Sequence, residues 1–319
     1  MGINPLQKNK KYISDLNARE KQYQYFLFYK YFFKPTKPTI ITEGKTDALH
    51  IKAALMKYYD KYPNLINKLA DGRYEFKLYF FNKTKRVEYF LGIYSDGADT
   101  MKNIWNFYNG KHGFANIFSY LSKKCAGESL NRGNPVILLF DNEQVNNKPL
   151  RKFLNHTGFK LELDSLFMKL NDNLFLQTIP LIKGSNECEI EDLYSKEVLN
   201  ICIDGKKFEK IVKDGAEDTY SKNIFSKYIL EHYQEIDFEN FINLIDAMGG
   251  IDIEMTQDEV DYMSSWYYGE YGQPISLQVG MNHLDGKGAL TFARIRKLDS
   301  DFGRTGQFSS YGCLACFFD

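Results

Sequence analysis

Apolar residues occur along this chain in two rhythms. In short blocks they run almost without interruption: PTIIT at 38–42, EFKLYFF at 75–81, YFLGIY at 89–94, PVILLF at 135–140 and FLQTIPLI at 175–182. Blocks of this length, rich in β-branched and aromatic side chains, predict strands buried on both faces. Between them the apolar positions recur at helical spacing, in DALHIKAALMKYY at 47–59 and ANIFSYLSKKC at 115–125. The aromatic run LNAREKQYQYFLFYKYFF has no glycine or proline and predicts a lead-in helix between about Ser14 and Phe33. Strand blocks separated by helices imply an α/β fold with a Rossmann-like, mostly parallel sheet and helical flanks. After about residue 195 the texture becomes lysine- and glutamate-rich at helical spacing. The pattern divides the chain into a helical lead-in at 1–37, an α/β domain at 38–195, a helical linker at 196–237 and a last segment at 238–319.

Composition changes this picture little. The 319 residues are 44% hydrophobic and 26% charged, a globular balance with enough apolar side chain for a core. Net charge is zero, so bulk charge offers no argument for nucleic acid, although the N-terminal region carries more lysine than acid. Five cysteines, odd in number and scattered, favour a reducing compartment. Cys313 and Cys316 form a CxxC with no second pair to complete four tetrahedral ligands. No apolar stretch reaches the length of a membrane span, and the N-terminus lacks the apolar core of a signal peptide. The expectation is a cytoplasmic protein without a membrane segment.

The chemistry sits where strands end. In an open α/β sheet, ligands gather beyond the carboxyl ends of the strands. There PTIIT delivers Glu43, and PVILLF delivers Asp141, Asn142 and Glu143. Carboxylates converging in one crevice repel one another unless a cation neutralises them, and hard oxygen donors suit Mg²⁺ or Mn²⁺. Taken singly, Asp141 and Glu143 read better as caps of the following helix, and Glu43 as a solvated group; taken together, on two strands in this order, they favour a shared cation. Lys45, two residues from Glu43 at a helix start, is a candidate for holding phosphate.

EGKTD at 43–47, followed by a strand and an acidic DNE, resembles the Toprim domain of primases, topoisomerases and OLD-type nucleases. With the preceding QYFLFYKYFF and the intervening GIYSDGADTMKN, residues 3–235 resemble the Toprim region found at the C-terminus of some retron-type reverse transcriptases. The resemblance implies a metal-binding catalytic triad of Glu43, Asp141 and Glu143. It also implies supporting roles for Asp47 and the acidic CEIED at 188–192, and a Mg²⁺- or Mn²⁺-dependent nuclease acting on nucleic acid. The family has aspartate where Glu143 stands, and no polymerase motif precedes the lead-in helix.

The last third resembles another family. IDAMGGIDIE at 245–254, LDGKGAL at 284–290 and the array Arg294, Arg296, Asp301, Arg304 resemble the C-terminal half of a LytR-CpsA-Psr domain, the cell-envelope-related transcriptional attenuator family, here an incomplete α+β fragment. In that family the arginines hold the pyrophosphate of a polyprenyl-linked glycan, work that suits planar guanidinium forks. The family's N-terminal half, with its anchor, is expected to be absent from this chain.

The two resemblances belong to different compartments and meet near FENFINLIDAM at 238–248, so the chain reads as a chimera whose C-terminal half-domain packs poorly. Two functions follow: a Mg²⁺-dependent nucleic-acid phosphodiesterase, or an envelope glycan-phosphate transferase or its binding remnant. A protein in which both sites have decayed is the third possibility.

Overall fold

A computed structural model describes residues 16–93, 99–125, 134–145, 147–161, 166–212, 217–249, 251–271, 275 and 277–284. The lead-in helix α1 (Ala18–Phe28) opens on a capping box. The Asn17 side chain accepts from the Glu20 backbone N–H, and the Glu20 carboxylate accepts from that of Asn17. One π-helical turn (Tyr29–Phe33) follows, and the chain leaves helical geometry at Lys34, ahead of Pro35.

The elements that follow are β1 (Thr39–Thr42), α2 (Asp47–Lys57), β2 (Ile66–Lys68), β3 (Tyr74–Phe76), β4 (Tyr79–Phe80) and α3 (Lys85–Leu91). Next come α4 (Asp99–Asn109), α5 (Ile117–Lys124), β5 (Val136–Phe140), α6 (Pro149–Thr157), β6 (Phe167–Lys169) and β7 (Leu174–Thr178). Five strands make one sheet in the order β4-β1-β5-β7-β6, with β1 parallel to both β4 and β5. The sheet is mostly parallel and flanked by helices, as the apolar rhythm implies. Every residue of β1, β5 and β7 is buried, which explains why these strands read as unbroken apolar runs. Each fully buried isoleucine or leucine there contributes roughly 2 kcal/mol.

Three local readings change. EFKLYFF is two strands: β3 pairs antiparallel with β2, and only β4 joins the main sheet. YFLGIY is helix before it is anything else. The Thr84 hydroxyl accepts from Val87 N, Val87 and Leu91 are buried four apart, and Gly92 closes α3 at φ 62, a left-handed cap that suits glycine. No element is predicted at 99–109, yet α4 buries Met101, Ile104, Trp105 and Tyr108 at 3–4-residue spacing.

The chain divides into two units, one of residues 1–45, 79–161 and 169–176, the other of 46–78, 162–168 and 177–319. The second contains α2, α7 (Lys196–Leu199), a parallel pair β8 (Lys207–Phe208) and β9 (Thr219–Tyr220), and α8 (Lys222–Glu231), which packs on α2. The segment expected as a helical linker therefore also holds a small sheet. Beyond it, α9 (Ile242–Gly249), β10 (Ile251–Met255), α10 (Gln257–Tyr271) and β11 (Gly280–Leu284) follow, with β10 and β11 antiparallel. Poor packing is not what the described part of this segment shows. Leu244, Ile245, Met248, Met255, Val260, Met263 and Tyr267 are all buried.

Candidate functional site

The parallel register Thr42↔Leu139 sets the carboxyl ends of β1 and β5 side by side. Glu43 N donates to Leu139 O at 3.1 Å, so Glu43 leaves the sheet next to the point where Asp141 leaves it. Lys83 locks this end: its ammonium donates to Thr42 O at 2.8 Å and to Glu43 O at 3.2 Å. The Thr42 hydroxyl adds a bond to Gly44 O at 2.7 Å. On the β5 side, Glu143 N donates to Asp141 O at 3.0 Å, which turns the chain at once, and Asn142 and Glu143 are buried.

The strand ends are thus adjacent, as the sequence predicts for Glu43, Asp141 and Glu143, but the three carboxylates do not converge. Among the described residues no three His, Cys, Asp or Glu side chains form a group able to hold a metal ion. Glu143 instead accepts from Lys148 Nζ at 2.5 Å. Lys45 is exposed on the turn into α2. Sequence reasoning missed Lys83 and Lys148; Lys83 meets backbone about forty residues upstream, a relation that only the β1–β4 pairing creates.

In the second unit Asp47 is buried in the first turn of α2, and the CEIED stretch forms a 3-10 turn at Ile190–Leu193. Its acids have lysine partners. Lys222 reaches Glu191 at 2.9 Å and Glu189 at 3.0 Å, while Lys210 reaches Asp192 at 2.8 Å and Glu189 at 3.1 Å. Burial raises the Glu191 carboxyl and outweighs the pull of Lys222, and the nearby Asp47 charge adds to the rise. Burial also works against ionised Glu189, but Lys222 and Lys210 together hold its carboxyl below the usual range. His50, wholly buried on α2, meets the Tyr194 hydroxyl through Nδ1 at 2.8 Å. Burial, then the charge of Lys222, depresses its imidazole to about 3. These contacts read as an internal electrostatic frame joining α2, the 3-10 turn and α8.

The phosphate-binding candidates Arg294, Arg296 and Arg304 lie outside the described residues. Ahead of them, β10 pairs with β11 in the register Ile251↔Leu284 to Met255↔Gly280, so GGIDIE and the start of LDGKGAL become neighbours. Among the described residues no helix is long and apolar enough to cross a membrane.

Comparison with known proteins bears on this C-terminal part. No solved structure matches the chain. The resemblance of residues 3–235 to Toprim and retron proteins finds no support. The polyisoprenyl-teichoic acid–peptidoglycan teichoic acid transferase TagV of Bacillus subtilis (strain 168) is 32% identical over 104 residues, 30% of this chain and 24% of that protein. The chain thus matches about a quarter of the length of this curated relative. The family match begins at residue 205, inside the segment read as a linker, so it takes in β8, β9 and α8 as well. Over residues 205–308 the chain matches the model of the LytR-CpsA-Psr family.

Proposed function

We propose that residues 205–308 serve to bind the pyrophosphate of a polyprenyl-linked envelope glycan, with Arg294, Arg296 and Arg304 as the anion-holding groups. The family match across this segment carries the reading. The β10–β11 pairing supports it, because it brings the GGIDIE segment before α10 and the first residue of LDGKGAL after it into one ladder. Guanidinium groups keep their charge at any cellular pH and offer paired donors to phosphate oxygens. The relative's printed activity is a transfer of teichoic acid to peptidoglycan. Transfer by this chain is the stronger form of the proposal and binding the weaker. Titration of the full chain with a polyprenyl-pyrophosphate glycan tests the binding on which both forms rest. Saturable binding weakened about tenfold or more by Arg304→Ala is expected, and equal binding by the variant removes the reading.

The adjacency of the β1 and β5 ends favours a second reading, a divalent cation near Glu43 and Asp141 in the service of nucleic-acid phosphodiester chemistry. Such a cation has to draw Glu143 away from Lys148. Full-length protein is expected to melt higher in millimolar Mg²⁺ or Mn²⁺, since a ligand bound by the folded state alone stabilises it, and Glu43→Gln should remove the gain. A melting curve indifferent to either metal ends this second reading.

A further inference from the structure

In the first unit, α1 and the start of α3 enclose a groove of about 520 Å³ that no reading above uses. Its walls carry the aromatic rings of Tyr23, Phe26 and Tyr31 and the cations Lys30, Lys85 and Arg86, with no acidic side chain among the lining residues. The two kinds of group are interleaved. The Arg86 guanidinium lies 5.9 Å from the Tyr23 ring centroid, and the Lys30 ammonium 5.2 Å from that of Tyr31. Phe26 is 54% exposed, an unusual position for a phenylalanine. Tyr23 is steadied by an edge contact with Phe90 at 4.9 Å, and Leu27 and Val87 are buried beneath the groove.

We infer that this groove binds a short stretch of single-stranded nucleic acid, its bases on Phe26 and Tyr23 and its phosphates against Lys30, Lys85 and Arg86. Charge selects a polyanion, because three cations with no acid in the lining make a local positive field on a chain of zero net charge. The exposed Phe26 ring selects a base. A ring face left in water favours a flat partner that has lost its own stacking, which single strands offer and a closed duplex does not. A volume of this size lies within the range of small-ligand sites, enough for one or two nucleotides and too little for a helix. Lys30 stands on the π-helical turn after α1 and Lys85 and Arg86 on α3, so both elements that line the groove contribute positive charge to it.

The test is fluorescence anisotropy of the full chain with a labelled twelve-nucleotide oligothymidylate and its duplex form. EDTA is present throughout, so any metal-dependent binding at Glu43 and Asp141 is silent and the result is separate from that reading. Binding to the single strand is expected to exceed binding to the duplex and to weaken with salt. Phe26→Ala should weaken it about tenfold with little change in salt dependence, because stacking disappears and charge does not. Lys85→Glu with Arg86→Glu should weaken it further and flatten the salt slope, by roughly 0.7 for each phosphate that no longer meets a cation. Far-ultraviolet circular dichroism checks that each surface variant is folded. Equal affinity for duplex, indifference to Phe26→Ala, or equal binding of inorganic polyphosphate each overturns the proposal.

Discussion

At Lys222 one ammonium serves two carboxylates of unequal burial, and its own proton is held more tightly than that of a free lysine. Burial opposes this, but Glu191 and Glu189 together prevail. Glu191 is 1% exposed and has no other cation within salt-bridge distance among the described residues. Removing its partner strands a buried charge. Lys222→Met should therefore lower stability by about 2–3 kcal/mol, less than for a fully buried pair because a third of the lysine side chain stays in water. Adding Glu191→Leu should recover most of that loss in thermal melts. His50 predicts a pH effect of defined sign. Its folded pKa of about 3 lies below the ordinary 6.5, so the unfolded chain binds the proton more readily between those values, and stability falls as pH drops from 6.5 towards 3. Glu191 acts oppositely, since its raised pKa favours folding as it becomes protonated. Comparing wild type with His50→Phe/Tyr194→Phe, where the paired polar atoms leave together, isolates the histidine. The variant should lose a pH dependence on the order of a few kcal/mol across that window in denaturant titrations at pH 7 and pH 4.5.

Among the elements, one buried polar node fixes the π-helical turn to the sheet. Tyr108 on α4 donates to Phe32 O at 2.8 Å, and Asn173 donates to both Phe32 O at 2.9 Å and Asn134 O at 3.0 Å. The node joins the end of the lead-in turn to the starts of β5 and β7. Asn173→Ala should cost about 2 kcal/mol, visible as a lower midpoint in urea, because the buried Phe32 carbonyl and the half-buried Asn134 carbonyl each lose a donor. The same elements show what can be read in advance. β1 and β5 are legible because both faces are buried and the run is therefore continuous. EFKLYFF misleads because a strand leaving one sheet for another keeps its apolar composition while Lys77 and Leu78 change its direction. YFLGIY misleads because aromatic residues have high strand propensity, and the capping by Thr84 and Gly92 outweighs it. The carboxylates at the strand ends are legible by the same rule that finds strand ends. Their neighbours Lys83, which donates to strand-end carbonyls, and Lys148, which pairs with Glu143, are not, since such contacts depend on side-chain reach and no apolar rhythm encodes it.

For the whole molecule, the described C-terminal residues argue against a loosely attached tail. Gln177 donates to Leu244 O at 3.2 Å, Tyr62 donates to Asp246 at 2.6 Å, and Ile245, Met248 and Met263 are fully buried. Deleting residues 245–319 should lower the melting midpoint by several degrees and broaden the transition in calorimetry, and an unchanged midpoint would show that this segment folds apart from the rest. The long strands of the main sheet lie inside it, and the borders are β4, two residues, and β6, three residues. A border that short presents few unpaired backbone groups to a passing chain, so the folded protein offers little template for strand recruitment. The protection is conditional. Should β4 detach, the next strand to face solvent is β1, whose TIIT is buried throughout and β-branched at every position, a segment well suited to intermolecular pairing. Self-association of this protein is therefore expected to track the loosening of two edge residues rather than global unfolding.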